Sequence, residues 1–192
     1  MKQEIERKYL VTYLPEDLKI VEVLDIQQAF IYKDTNTVIR VRNIQNKELH
    51  TEEYIYTIKT KGDLELYTKS SVAKVYEIES HIQKEDFDEL IKKKISNIIE
   101  KTRLVIPIEN DLKVEIDIYK NDLQDLITAE VEFPNEHMAN SFEKPKWLGE
   151  EIGYAELSNW RLSNMTKEEW KTKLTKEILD NNRKILQNLK KI

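Results

Sequence analysis

The chain has 192 residues, a net charge of -5 and no cysteine, and its charged fraction of 35% exceeds the roughly 25% of an average soluble protein. This length suits one domain, the acidic balance argues against general nucleic-acid binding, and the lack of cysteine excludes disulfides, thiolate metal sites and a cysteine nucleophile. Since no apolar run approaches the roughly 18 residues of a membrane span, and the acidic start is unlike a signal peptide, we expect a cytoplasmic protein without nucleic-acid or membrane partners.

Eight segments rich in Ile, Val, Tyr and Thr alternate apolar and polar residues, which is typical of strands. Short polar connections join them, and one predicted helix at residues 84–94 interrupts the series. This order favours an antiparallel meander over a parallel sheet with helical crossovers. The predicted strands cover residues 2–12, 24–32, 37–46, 52–61, 72–82, 98–107, 112–120 and 126–134.

The strand pattern stops after Pro134. The stretch from Ser141 to Gly149 contains a proline and a tryptophan, and we interpret it as a short helix or an ordered loop. We interpret Trp147 and Trp160 as anchors of the core, in preference to platforms for a ligand, because large aromatic rings dominate core packing.

The end of the chain has a helical pattern. Thr166 resembles the N-cap of a capping box, with Glu169 three residues later. From residue 167 to residue 192 the apolar residues follow helical spacing, which predicts one amphipathic helix packed on the outside of the sheet. Residues 1–165 are thus predicted to form one domain, and residues 166–192 its C-terminal helix.

Charged residues recur at every second position in seven of the predicted strands, so each set lies on one face, opposite apolar residues. An open sheet would leave that face in water, whereas a closed barrel would enclose it. A face exposed to solvent commonly carries acidic and basic residues interspersed along each strand. Most of these strands instead carry two residues of like charge. Their repulsion is better tolerated when an external ion neutralises them. The sets are Glu4, Glu6 and Lys8; Arg40 and Arg42; Lys59 and Lys61; Glu77 and Glu79; Lys101 and Arg103; Glu115 and Asp117; and Glu130 and Glu132.

The chemistry of this set points to phosphate and metal. It contains eight carboxylates and seven bases. Arginine presents planar donor forks that fit phosphate oxygens, and lysine presents a mobile point charge. Carboxylates from different strands are hard ligands for Mg²⁺ or Mn²⁺, which also bind phosphate oxygens. The set therefore indicates a site for a complex of a divalent metal with a polyphosphate.

The segment from Glu4 to Lys8 resembles the ExExK signature of CYTH proteins, which are also called triphosphate tunnel metalloenzymes. Later segments resemble the family in the same order, over about residues 1–165. The resemblance implies a mainly β fold of the α+β class: an eight-stranded antiparallel closed barrel with a charged lumen and flanking helices. The later segments are Val38 to Arg42, Tyr56 to Gly62, Tyr76 to Glu79, Ile99 to Arg103, Val114 to Asp117, Ala129 to Glu132 and Trp147 to Ile152.

By position, the resemblance also implies roles for the charged residues. The catalytic candidates are Lys8, Glu77 and Glu79, which would transfer protons, position water or orient the bases. The pKa of Lys8 stays open here, since nearby cations lower it and nearby carboxylates raise it. The implied ligands of Mg²⁺ or Mn²⁺ are Glu4, Glu6, Glu130, Glu132, Glu115 and Asp117. The implied phosphate-binding residues are Lys8, Arg40, Arg42, Lys59, Lys61, Lys101 and Arg103.

The implied activity is metal-dependent hydrolysis of a triphosphate. We expect inorganic tripolyphosphate as the substrate, because nothing in the sequence suggests a pocket that recognises a base. A nucleoside or thiamine triphosphatase, a class IV-type adenylate cyclase and a non-catalytic polyphosphate-binding module remain alternatives. The apolar outer face of the barrel needs cover, so a homodimer is also expected.

Two segments depart from the family pattern. Near the end, the segment from Glu151 to Glu156 reads Glu-Ile-Gly-Tyr-Ala-Glu, where the family has a Glu-Val-Thr-Gly-Asp run. The other departure lies in the second predicted strand. The run from Gln28 to Ile31 reads Gln-Ala-Phe-Ile, where the family often has Gln-Gly-Tyr-Leu. The lumen then lacks a tyrosine hydroxyl unless Tyr32, the next residue on the same face after Phe30, supplies one.

Overall fold

Nine strands form one sheet in a computed structural model, which describes residues 2–61, 73–153 and 156–189, with the side chain of Lys61 outside the described part. The strands are β1 (Lys2–Val11), β2 (Glu22–Lys33), β3 (Thr37–Asn46), β4 (Thr51–Lys61), β5 (Ala73–His81), β6 (Ile99–Pro107), β7 (Lys113–Tyr119), β8 (Ile127–Glu132) and β9 (Leu148–Ile152). Their order is β5-β4-β3-β2-β6-β7-β8-β1-β9, and β1 also pairs with β5. The first eight strands therefore close into an antiparallel barrel, which confirms the predicted fold class and the eight predicted strands.

The first strand closes the barrel by pairing on both of its edges. Residues 6–10 of β1 pair with β8 on one edge. On the other edge, residues 2–6 pair with β5, and Lys8, Tyr9 and Val11 pair with β9. Because β5 covers only the first half of β1, the short strand β9 completes the hydrogen bonding of the second half.

Residues 142–147 form a loop, which is one of the two forms expected for residues 141–149, and β9 begins at Leu148. The helices are α1 (Lys84–Ile91), α2 (Glu136–Ser141), α3 (Asn159–Leu162), α4 (Lys167–Lys171) and α5 (Lys176–Leu189). Helix α2 ends where the predicted segment begins, and the segment itself leads into β9. The backbone there approaches β1 closely, since a Cβ at Gly149 would lie 3.1 Å from Thr12 Cγ2 and 3.3 Å from the Leu10 carbonyl oxygen. Any larger residue would therefore require Thr12 or the Leu10 carbonyl to shift by a few tenths of an ångström.

The C-terminal segment forms two helices instead of the single predicted helix. The capping box at its start is confirmed, since Thr166 and Glu169 exchange side-chain to backbone hydrogen bonds. Trp170 and Leu174 pack into a cluster at Leu10 and Ile152, whereas Ile185 packs on the outer face of the barrel. Helix α5 contacts both surfaces, because its Ile178 and Leu179 pack on the cluster that contains Trp170.

The outer apolar face is only partly covered. Phe87 of α1 packs on Tyr54, with ring centroids 5.2 Å apart. Tyr76 and Ile78 of β5 remain 41% and 44% exposed, which is consistent with a homodimer, although the dimer stays a prediction. Within the described ranges, no helix has the length and apolar character needed to span a membrane.

Candidate active site

The barrel encloses a cavity of about 950 Å³ lined by charged residues from all eight barrel strands. The order of strands separates the charges, because β6, β2, β3 and β4 adjoin one another on one side and β5, β1, β8 and β7 on the other. The first side, which we call the basic wall, contributes Arg40, Arg42, Lys59, Lys101 and Arg103. The second side, the acidic wall, contributes Glu4, Glu6, Glu77, Glu79, Glu115, Glu130 and Glu132, together with the single base Lys8.

The structure thus brings thirteen of the predicted site residues together around one cavity. Of the other two, Asp117 is completely buried in β7, and the Lys61 side chain lies outside the described residues. The individual roles stay predictions, but their common location is established.

Ion pairs join the two walls where a basic strand adjoins an acidic one. Lys59 Nζ donates to Glu4 and lies 3.4 Å from Glu77 Oε1. Arg40 also contacts Glu77, with 3.3 Å between its guanidinium nitrogen and Oε1. These carboxylates neutralise the bases in the free protein, so an incoming phosphate would compete with them for the same donors.

Asp117 orients two bases of the basic wall at once. Its carboxylate accepts from Arg103 Nε at 2.7 Å and from Lys101 Nζ. Arg103 also donates to Glu115 and, at 2.9 Å, to Glu130. Because a guanidinium with this many fixed partners has little freedom to turn, Arg103 is held ready for a ligand. The predicted role of Asp117 as a metal ligand remains a prediction.

Two buried lysines of the lumen have opposite pKa shifts. Burial lowers the pKa of Lys8, but Tyr119 and Glu130 outweigh it, and the pKa is raised above its ordinary value. Lys8 Nζ donates to Glu130 Oε1 at 3.0 Å. Burial together with the charge of Arg103 lowers the pKa of Lys101 to about 8. The pKa of Lys8, left open by the sequence, is therefore raised, and its catalytic role stays a prediction. Of the two lysines, Lys101 is the one suited to lose a proton near neutral pH.

Two carboxylates of the acidic wall have raised pKa values. Burial and the charge of Glu130 raise the pKa of Glu6 to about 7. Burial and a hydrogen bond to Glu4 raise the pKa of Glu77 to about 7. Burial opposes ionisation of Glu4 as well, but the hydrogen bond from Glu77 and the ammonium of Lys59 lower its pKa to about 2. The wall thus has more carboxylates than its bases can neutralise, which favours a cation.

These carboxylates match a divalent metal in kind but are not arranged as a finished site. Among the residues that the structure describes, no three potential ligands are grouped closely enough to hold a metal ion. Glu4 and Glu130 are instead engaged by Lys59 and Lys8. The donors are nevertheless hard oxygens from neighbouring strands, and burial together with the charge of Glu130 disfavours an ionised Glu6 without a cation. The donor set therefore fits Mg²⁺ or Mn²⁺.

The free energy of unfolding of the metal-free protein is expected to fall as the pH rises from 6 to 8. Glu6 and Glu77 have pKa values of about 7 in the folded protein, whereas an unfolded glutamate has a pKa of about 4.3. The folded state therefore binds more protons in this interval, and its stabilisation is fully present below pH 4.3 and lost through pH 7. The loss should be about 1 kcal/mol per group.

Urea unfolding in a chelator at pH 6, 7 and 8 measures this effect. The Glu77→Gln variant removes one of the two titrating groups, so its unfolding free energy should depend less on pH. An unfolding free energy of the unmodified protein that stays constant from pH 6 to 8 would contradict the raised pKa values.

Several residues that line the lumen were not predicted from the sequence, among them Trp160 and Lys33. Trp160 lines the cavity, so its interpretation as a core anchor is corrected, and its ring contacts Phe30 edge-on at 5.3 Å between centroids. The β2–β3 register shifts between Phe30 and Tyr32, so Lys33 lines the cavity. Tyr32 is 46% exposed and donates to Asp34, and therefore does not supply the missing hydroxyl. Strict alternation cannot locate such a bulge.

Three donors of the basic wall are buried without an acceptor among the described residues: Gln28 Nε2, Arg40 Nε and Arg42 Nε. An unpartnered buried donor costs about 1–3 kcal/mol, so such groups are uncommon without a ligand. Burial and the charges of Arg40 and Arg103 also lower the pKa of Arg42 to about 10. This part of the lumen therefore favours an anionic ligand. Trp147, the other tryptophan interpreted as a core anchor, is buried in the apolar cluster that contains Tyr9 and Leu148, as expected.

Comparisons with known proteins agree with this geometry, although no family model matches the chain. The chain is 29% identical to an inorganic triphosphatase of Nitrosomonas europaea over 150 residues, which cover 78% of this chain and 88% of the relative. A solved structure of an inorganic triphosphatase superposes with a TM-score of 0.55 at 28% identity, covering 86% and 97% of the two chains. A Hippeastrum protein described as having a dominant triphosphatase activity shares the fold alone, with a TM-score of 0.50, 14% identity and 71% and 82% coverage.

The fold, the lumen residues and the similar proteins all agree with the resemblance of the sequence to CYTH proteins. The closed antiparallel barrel matches solved structures along most of the chain. Its lumen collects the charged residues of the ExExK strand and of the later segments in one cavity. The chain is thus similar in sequence and in fold to an inorganic triphosphatase, in agreement with the resemblance of its sequence to CYTH proteins.

Proposed function

We propose that this protein hydrolyses inorganic tripolyphosphate, with Mg²⁺ or Mn²⁺ held in the barrel lumen. The observation that carries the proposal is the cavity in which a basic wall faces an acidic wall. Phosphoryl groups fit the arginine forks and lysines, and a cation fits the carboxylates and the phosphate oxygens together. The similarity to the Nitrosomonas europaea inorganic triphosphatase supports this substrate. The cytoplasmic location expected from the sequence stays a prediction.

The residues of the basic wall would bind the phosphates and stabilise charge. Water attacks the terminal phosphorus, the bond from that phosphorus to the bridging oxygen breaks, and orthophosphate and pyrophosphate leave. Negative charge develops on the bridging oxygen, where fixed donors such as Arg103 can neutralise it. The attacking water must lose a proton, and Lys101, with a pKa lowered to about 8, is suited to take part in its transfer.

The acidic wall would hold the metal. Glu4, Glu6, Glu130 and Glu132 are the first choice of ligands, and Glu115 is a further carboxylate on the same wall. When bound, Mg²⁺ or Mn²⁺ would supply Lewis-acid neutralisation of phosphate oxygens. The lysines that now engage Glu4 and Glu130 would then be released to bind phosphate.

A substrate panel tests the proposal. Phosphate release is measured from tripolyphosphate, ATP and thiamine triphosphate, each with Mg²⁺, with Mn²⁺ and in a chelator. Tripolyphosphate with metal should turn over fastest, and turnover no faster than that of ATP would reject the proposal. Formation of cyclic AMP would indicate a cyclase, and metal-dependent binding without phosphate release would indicate a binding module.

A nucleoside triphosphatase is the second candidate, because the Trp160 ring lines the cavity and a base could stack on it. That ring already contacts Phe30, and Lys33 Nζ lies 5.4 Å from its centre. We therefore expect Trp160 to close off space, and Trp160→Ala should raise the turnover of ATP relative to tripolyphosphate by about tenfold.

The ratio of the two turnover rates is the quantity to measure, since it is insensitive to any loss of folded protein. Trp160→Phe retains an aromatic ring and serves as the control, with a ratio close to that of the unmodified protein. A ratio that falls in Trp160→Ala would mean that the ring binds the base, and would favour the second candidate.

A further inference from the structure

Strand β2 occupies the middle of the basic wall and presents no charge at its centre. It lies between β3 and β6, which carry Arg42 and Lys101 into the lumen. The residues of β2 that line the same stretch of cavity are Ile26, Gln28 and Phe30. Gln28 pairs directly with Arg42 across the β2–β3 ladder. The amide is thus the one polar group that β2 places between the two sets of cations.

The amide of Gln28 is a donor that lacks a suitable acceptor. Its side chain is 1% exposed, and Nε2 has no hydrogen-bond partner among the described residues. Arg42, its partner on β3, and Lys101, which pairs with Ile26 two residues earlier in β2, are themselves donors and cannot accept from it. Arg40 Nε and Arg42 Nε, on the next strand, are also buried without an acceptor. Unpartnered N–H donors therefore lie on two adjacent strands. A phosphoryl oxygen would suit them, because it accepts hydrogen bonds and donates none.

We propose that Gln28 is a substrate-binding residue whose amide N–H donates to a phosphoryl oxygen between Arg42 and Lys101. The inference rests on the proposed function and names a further residue of that site. Rotation about the broad terminal torsion of glutamine turns Nε2 towards the cavity. A neutral amide adds a directed hydrogen bond without a further positive charge, where Arg42 and Arg103 already repel each other.

The test compares Gln28→Leu with Gln27→Leu, the same chemical change one position earlier in β2. Gln27 donates to Glu100 at 3.2 Å and does not line the cavity, so its variant should retain normal kinetics. In Gln28→Leu we expect the KM for tripolyphosphate with Mg²⁺ to rise about tenfold, the effect of losing one hydrogen bond to a charged group, with little change in kcat. The Kd for tripolyphosphate in a chelator should rise by the same factor.

A third variant separates binding from packing. Gln28→Glu keeps the shape of the side chain but turns the donor into an acceptor of negative charge, so its Kd should exceed that of Gln28→Leu. A merely structural Gln28 would give a lower melting temperature with an unchanged Kd in the folded fraction. Gln28→Leu with KM and Kd both within twofold of the unmodified protein would overturn the assignment.

The binding measurement keeps this result distinct from the proposed function. If the unmodified protein binds tripolyphosphate but releases no phosphate, hydrolysis is rejected while the Kd values still decide the role of Gln28. If it does not bind tripolyphosphate, the assignment of Gln28 is overturned together with the substrate.

Discussion

Replacing Arg103 by alanine is expected to lower kcat for tripolyphosphate by about 100- to 1000-fold, the usual effect of removing one fixed donor from a site of developing charge. Arg103 faces the lumen and is held by Asp117, Glu115 and Glu130. A donor fixed in this way does not have to reorganise when charge appears on the substrate, so its removal should act on kcat more than on KM.

Steady-state kinetics with tripolyphosphate and Mg²⁺ measure the effect. Arg183→Ala is the matched control, because Arg183 lies on α5, outside the barrel, and pairs with Asp125 and Asp180. Arg103→Lys retains the charge but lacks the planar fork, so it should have an intermediate rate. A loss of less than tenfold in a folded Arg103→Ala protein would place the developing charge elsewhere in the lumen.

Replacing Asp117 by asparagine is expected to lower the free energy of unfolding by about 3–5 kcal/mol, the usual effect of breaking a buried ion pair from one side. Asp117 is completely buried, and its carboxylate is the shared partner of Lys101 and Arg103. Asparagine has the same shape but no charge, so both bases would remain in the wall without their common counterion.

Urea unfolding of the metal-free protein gives the free energy. Asp180→Asn is the control, since Asp180 is half exposed on α5 and pairs only with Arg183 among the described residues; its effect should stay within about 0.5 kcal/mol. A loss below about 1 kcal/mol in Asp117→Asn would mean that Asp117 does not hold the two bases, and would favour its sequence-based role as a metal ligand.

The two substitutions test the same ion-pair cluster, one by removing a base and the other by removing the carboxylate that the bases share. Arg103 is expected to act on the reaction, and Asp117 is expected to act through the position of Arg103 and Lys101. Asp117→Asn should therefore also lower activity in the protein that remains folded. If it leaves kcat unchanged while stability falls, the ion pair is structural and Arg103 does not depend on it for its position.

Much of the fold was predictable from the sequence because strand alternation is a local property. The spacing of two residues between Arg40 and Arg42 is enough to place both on one face of a strand. The eight barrel strands were located from such alternation. The short strand β9 was missed, since five residues are too few for a clear period and since it forms only against the half of β1 that β5 leaves open.

The candidate site was predictable for the same reason, up to a limit. Charge and spacing identified the residues that line the cavity, and the family resemblance connected them to triphosphate chemistry. Their pairing was not visible: nothing near Asp117 in the sequence indicates that it is shared by Lys101 and Arg103. The bulge that brings Lys33 into the lumen also interrupts the alternation on which the prediction depends.

The sequence by itself determined which face of each strand is charged and which residue types meet in the lumen, because both follow from neighbours along the chain. Only the tertiary structure decided that basic and acidic strands gather into opposite walls, since that depends on the order of strands around the closed barrel. It also decided that Lys8 has a raised pKa and Lys101 a lowered one. Those shifts arise from burial and from charges that are distant in sequence, such as Glu130 for Lys8, which become neighbours only when the barrel closes.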